Sequence, residues 1–242
     1  MHIRTDLMLA EDAAWHAIGA PGTWRTGAER VAIAAETRHA LNCPLCAARR
    51  NTLSPAMAEG EHTSLGQLTA SDVEAVHRIR TDSGRLGRSW FDRLREGGML
   101  DEAYIELVSV VVVTVAIDTF RLAVGLDPLP LPGALAGEPA RRRPRGARPG
   151  PGWTASLSPP DRTEDDPDLF REHPGPRERF GANIHLALSL VPGSMIHWWD
   201  LFEPMYQTGP QMRDFSREFR AISHPQIEML AARVAALNQC EY

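Results

Sequence analysis

The feature that most limits the fold is "DPLPLPGALAGEPARRRPRGARPGPGWTASLSPPDRTEDDPD", Asp127 to Asp168, which holds more than half of the chain's 19 prolines. Proline lacks a backbone donor and disrupts helix interiors and central strands. A stretch of about forty residues without regular structure is rare inside one compact domain. It therefore predicts a boundary, with an N-terminal domain over 1–126, a connector over 127–168 and a C-terminal domain over 169–242. The basic run "ARRRPRGARPG" (Ala140 to Gly150) reads as part of a solvated connector, with a phosphate or RNA contact as the competing reading.

Both flanks carry helical patterning. "TGAERVAIAAETRHALN" places Val31, Ala34, Ala35 and Arg38 on one stripe. "TASDVEAVHRIRTD" offers Thr69 or Ser71 as an N-cap, and "SWFDRLREGG" ends in glycines. "LDEAYIELVSVVVVTVAIDTFRLAVG" is valine-rich, which favours a strand locally, yet its length, acidic start and Gly125 stop predict a buried helix. Beyond the connector, "GANIHLALSLVPGSMIHWWDLFEPMY" reads as apolar runs broken at Pro192-Gly193. "QMRDFSREFR" is amphipathic, and "SHPQIEMLAARVAALNQ" is a final helix capped at Ser223. The expected class is all-α.

The net charge of -5 speaks against a nucleic-acid partner. The N-terminus has acidic residues and no apolar leader, and the longest apolar run, Leu107 to Ile117, falls short of the about 20 residues that span a bilayer. The expectation is a cytoplasmic protein without a membrane partner. Three cysteines in a reducing compartment call for a chemical or packing role rather than disulfide staples.

"NCPLC" (Asn42 to Cys46) is the most informative stretch. Asn42 or Cys43 can cap a helix whose first turn holds Pro44, so Cys43 and Cys46 share a helix N-terminus. Free N–H groups there lower a thiol from about 8.5 toward the roughly 3.5–7.5 range. A thiolate with a second thiol nearby can attack a peroxide and close to a disulfide. Arg49 and Arg50 would add positive charge. His62, in a loop, could fold back over the cysteines, and His39 lies one turn before Cys43; both are candidate bases. Glu29 and Glu36 read as solvated helix-face charges. Two competing readings remain open: a zinc site of Cys43, Cys46, His62 and His77, and a pair of buried inert cysteines. The redox reading needs no metal or other cofactor.

The chain also repeats itself. Superposing Cys43 on Cys240 lays Ala34-Ala35 over Ala231-Ala232 and Ile33 over Leu230, which suggests a duplicated unit.

At these residues the sequence resembles the alkyl hydroperoxidase D-like, carboxymuconolactone decarboxylase-like superfamily. "QIEMLAARVAALNQCEY" is similar to the family signature: a glutamate, eleven residues, a cysteine, two residues, a second cysteine, three residues and a histidine. Glu228 and Cys240 have that spacing. "GAERVAIAAETRHALNCPLC" resembles a divergent copy, with Val31 at the glutamate position and Arg50 at the histidine position. The resemblance implies two tandem helical units, oligomerisation through helices, and a thiol peroxidase acting on a hydroperoxide with a thiol or dithiol reductant. In that chemistry the second cysteine meets the peroxide, the first resolves it, and glutamate and histidine relay the proton. Cys43, Cys46, Glu228 and Cys240 are the catalytic candidates. The signature places its peroxide-reactive residue at position 243, which raises the expectation of a selenocysteine there. Two alternatives stand beside this reading. One is a non-catalytic oligomerising or ligand-binding helical protein. The other is a decarboxylase-branch enzyme for a lactone-like acid.

Overall fold

A computed structural model describes residues 3–150, 152–169, 186–238 and 240. The described chain is all-α, with nine α-helices and one short hairpin. The helices are α1 (Thr5–Ile18), α2 (Gly27–His39), α3 (Pro44–Arg50), α4 (Ala70–Asp82), α5 (Arg88–Glu96), α6 (Asp101–Ala123), α7 (Pro192–Met205), α8 (Gly209–Arg213) and α9 (His224–Leu237). Strands β1 (Arg148–Pro149) and β2 (Ala155–Ser156) pair antiparallel, Arg148 opposite Ser156.

The valine-rich segment is helical, as its length and ends predict. Leu107, Val110, Val113 and Ile117 form its fully buried stripe, and α1, α2, α4 and α7 pack around it. Burial on several sides overrides the strand preference of valine, because the branched side chains fill the spaces between packed helices. At 23 residues, α6 is the one described helix long and apolar enough to cross a membrane, and here it is the axis of the bundle. Glu106, buried near its start, accepts from the Trp24 backbone N–H at 2.6 Å and anchors the loop between α1 and α2.

Local signals set the other helices. Thr26 and Glu29 form a reciprocal capping box at α2, and Thr69 caps α4 by accepting from the Asp72 N–H. Gly97 closes α5, whose Trp90, Phe91 and Leu94 enter the core. Helix α1 lacked a clear sequence signature, yet Trp15 and Ile18 are deeply buried. Of the segment beginning at Gly181, residues 181–185 lie outside the described residues. Pro192-Gly193 opens α7 rather than breaking a helix, in keeping with the tolerance of a first turn for proline. Of the amphipathic stretch beginning at Gln211, only its first residues are helical, as the end of the short α8.

The connector does not run free in solvent. Trp15 Nε1 donates to the Pro130 carbonyl at 2.7 Å, the Leu135 N–H to Gly19 at 2.8 Å and the Arg141 N–H to Thr23 at 2.7 Å. Arg143 pairs with the buried Glu102, and Trp153 packs against Trp90 and Phe91. An extended proline-rich chain leaves its carbonyls and remaining N–H groups turned sideways, so it can bond laterally to a neighbour. The close approach requires glycine: a Cβ on Gly19 would lie 2.4 Å from the Gly133 carbonyl oxygen, and one on Gly27 would lie 2.8 Å from that of Leu135. The basic run is thus part of a strap tied to the bundle through the Arg141 N–H and Arg143, while the side chains of Arg141, Arg142, Arg143, Arg145 and Arg148 remain exposed. Leu190, Val191, Met195 and Leu201, all beyond the strap, join the same apolar cluster as α1 and α6. Helix α9 leaves Met229, Leu230, Val234 and Leu237 exposed.

Phe91 is fully buried and meets Tyr104 edge-on at 4.8 Å between ring centroids. Phe91→Ala is expected to cost about 3–5 kcal/mol in urea unfolding, the range for deleting a buried aromatic side chain. A loss under about 1 kcal/mol would mean that this interface does not hold α5 to α6.

Candidate metal centre

Helices α3 and α4 and the loop between them bring four side chains together, with α2 behind them. Cys43 is the extended N-cap of α3, and Pro44 opens the helix behind it. Cys46 follows three residues later, so both sulfurs project from one side of a single turn. Their burial is nearly complete, at 1% and 2% exposure. His77 points inward from the middle of α4, fully buried, beside Val73 and Val76 on the same helix. His62 folds back from the loop over the cysteines, as the sequence had suggested it could.

The contacts form a closed set. His62 Nδ1 lies 3.4 Å from Cys43 Sγ and 3.5 Å from Cys46 Sγ, while His77 Nδ1 lies 3.3 Å from Cys46 Sγ. All four donor atoms fall within 4.8 Å of one another. The two imidazole rings tilt together at 4.3 Å between centroids. Each ring is held from behind by a carboxylate. His62 Nε2 meets Glu74 Oε2 at 2.9 Å, and His77 Nε2 meets Glu36 Oε1 at 2.8 Å. Glu36 is fully buried and also accepts from the Leu65 N–H and the Ser64 hydroxyl, which ties the loop to α2. Glu74 additionally accepts from Arg49 and from Trp90 Nε1.

These contacts set the electrostatics. Burial alone would push the Cys43 thiol up, but hydrogen bonds from the Cys46 backbone N–H, from His62 and from Thr63 bring it down to about 5. Cys46 is lowered against its own burial by His62, His77 and Thr81. Burial likewise opposes the charged form of His62, yet Cys46, Glu74 and Cys43 raise it to about 10. Burial opposes the Glu74 charge as well, and His62 and Arg49 hold it at about 2. In the metal-free chain the site is thus a thiolate–imidazolium–carboxylate cluster.

Of the sequence candidates, Cys43, Cys46, His62 and His77, the four named for the competing zinc reading, are brought together. His39 is not part of the set; its ring meets His77 edge-on at 6.3 Å. Glu228 accepts from the Tyr206 hydroxyl at 2.6 Å, near the start of α9, while Cys240 is exposed past its end. Beyond Leu237 the chain turns back, and the Cys240 N–H donates to the Ala235 carbonyl at 2.9 Å. Glu36, read as a solvated charge, is instead the buried partner of His77, because α2 is covered on that side by α4. Glu74 escaped notice, although Glu74-x-x-His77 places both groups on one face of α4. No family model matches the chain, and no curated protein or solved structure is significantly similar to it.

The signs of these shifts predict how acid acts on the metal-free protein. A thiol lowered from 9.0 to about 5 adds stability that is complete above 9.0 and lost as pH falls to about 5. An imidazole raised from 6.5 to about 10 adds stability that is complete below 6.5 and lost as pH rises to about 10. The two windows oppose each other between 6.5 and 9.0, so the net loss emerges below 6.5. The urea midpoint of chelator-treated protein should therefore drop between pH 6.5 and 5, and Cys43→Ser should flatten that drop. An equally steep drop in the variant would remove Cys43 as its source.

Proposed function

We propose that the protein binds one zinc ion through Cys43, Cys46, His62 and His77 at a closed centre that fixes the loop over residues 51–69 against α2, α3 and α4. The observation that carries this reading is the set of sulfur–nitrogen separations. Zinc bonds of about 2.3 Å to sulfur and 2.0–2.1 Å to nitrogen at tetrahedral angles give edges of about 3.6 Å. Three of the four sulfur–nitrogen edges are 3.3, 3.4 and 3.5 Å, and the fourth lies within 4.8 Å. Two thiolates and two imidazoles form a donor set suited to zinc. The carboxylates behind both rings fit as well, since metal-bound histidines commonly donate their other N–H to such a partner. Four protein ligands leave no open position, so the centre organises structure rather than activating water. This favours the non-catalytic, ligand-binding alternative of the sequence reading over lactone decarboxylation.

One observation favours a second reading, the thiol peroxidase implied by the resemblance. The Cys43 thiol is held at about 5, and the chains Glu74–His62–Cys43 and Glu36–His77–Cys46 supply the acid–base partners missing from the motif positions. In that chemistry the Cys46 thiolate attacks a hydroperoxide, breaking the O–O bond to give a sulfenic acid and an alcohol. The Cys43 thiolate then displaces hydroxide to form a disulfide, and an external dithiol reduces it. The exposures of 1% and 2% count against this, because reactive thiols are partly open to solvent.

Zinc titration of the chelator-treated protein against a chromophoric competitor separates the two. The zinc reading expects one equivalent per chain, lost in Cys46→Ser, and an affinity lowered about 10–100-fold in Glu36→Gln through the misoriented His77. Failure to bind zinc, with Cys46-dependent turnover of peroxide, would replace it by the peroxidase reading.

A further inference from the structure

On the outer side of Glu74 lies a cleft of about 610 Å³, a volume typical of small-ligand sites, and its charges are one-sided. Arg49, Arg78, Arg85 and Arg93 line it, with Glu74 as the opposing carboxylate. Asp82 pairs from behind with Arg78 at 3.4 Å and Arg85 at 2.6 Å. With Glu74 and Asp82 each offsetting one arginine, a surplus of two positive charges remains.

Donor capacity is unspent in the same place. Arg78 is 6% exposed, and its Nε has no hydrogen-bond partner; the Nε of Arg49 has none either. The Arg93 side chain has no ion pair or hydrogen bond among the described residues, and it is exposed at the cleft mouth. Arg85 differs: Asp82 and the carbonyls of Thr52 and Arg49 take up its guanidinium, so it contributes field and rigidity.

Two helix N-termini add to the arginines. Ala70 and Ser71 of α4 and Ser89 of α5 line the cleft, from helices of 13 and 9 residues. First-turn N–H groups have no acceptor within their own helix, and Gly87, the N-cap of α5, supplies no side-chain cap. Free N–H groups and the positive ends of helix dipoles favour a compact anion.

We propose that this cleft binds a small phosphate-bearing molecule. A phosphate group offers three acceptor oxygens and a charge of about −1.5 to −2 at neutral pH, which matches donors converging from several directions and a surplus of two. A flat carboxylate satisfies fewer of them. The site does not depend on zinc being the ion at the neighbouring centre; the two share only Glu74 and Arg49.

Calorimetric titration with inorganic phosphate in chloride buffer tests it, with malonate as a carboxylate of equal formal charge and Arg93→Gln as the variant. Arg93 is exposed and unpartnered, so the variant should fold, and an unchanged thermal midpoint checks this. Saturable binding of one phosphate per chain is expected, weakened roughly fivefold in Arg93→Gln, allowing for solvent screening of an exposed charge. Arg217→Gln, far from the cleft in sequence and exposed, should leave phosphate binding unchanged. No saturable phosphate binding up to about 20 mM, a range in which weak ligand complexes still register, would overturn the proposal. So would equal affinity for malonate, or binding indifferent to Arg93→Gln.

Discussion

The structure depends on the burial of two thiols against two imidazoles. Neither partner belongs in an apolar interior alone: an isolated thiolate or imidazolium there would revert to its neutral form. Together, and with Glu36 and Glu74 behind the rings, each charged form meets an opposite charge and a hydrogen bond. Truncating one member leaves the others buried without compensation, which makes the group an all-or-none element. A divalent cation among the donors would resolve the same problem with fewer protons.

That cluster explains the arrangement of the elements around it. The loop over residues 51–69 has little regular structure and few apolar anchors, and its attachments are polar: His62 to the sulfurs, Ser64 and Leu65 to Glu36. Glu74 lies at the junction, touching His62, Arg49 and Trp90 at once. Through Trp90 it reaches the aromatic group of Phe91, Tyr104 and Trp153, which ties α5 and the proline-rich strap to α6. The centre, the arginine cleft and the core are thus mechanically continuous, although their chemistries differ.

Much of the local structure was legible in the sequence because it depends on neighbours along the chain. The Thr69 cap, the Gly97 stop and the Cys43-Pro44 start of α3 all act within a turn. The helical state of Leu107 to Ile117 was legible from length and ends despite its valines. What escaped was tertiary. Glu36 on an alternating polar and apolar helix looks solvated until α4 covers it. The strap looked like a linker because its bonds run from backbone groups to distant partners such as Trp15 and Gly19. His62 and His77 stand beside the cysteines in one of several competing readings of the sequence, because no fixed motif spacing decides among them, whereas Glu74 escaped because only the fold brings it behind His62.

Zinc K-edge X-ray absorption on the metal-loaded protein tests the central claim most directly, because it reports the ligand shell itself. The account predicts two sulfur scatterers at about 2.3 Å and two nitrogen scatterers at about 2.0–2.1 Å, with imidazole outer-shell features. A shell of light atoms only, or protein recovered zinc-free with Cys43 and Cys46 joined as a disulfide, would contradict it.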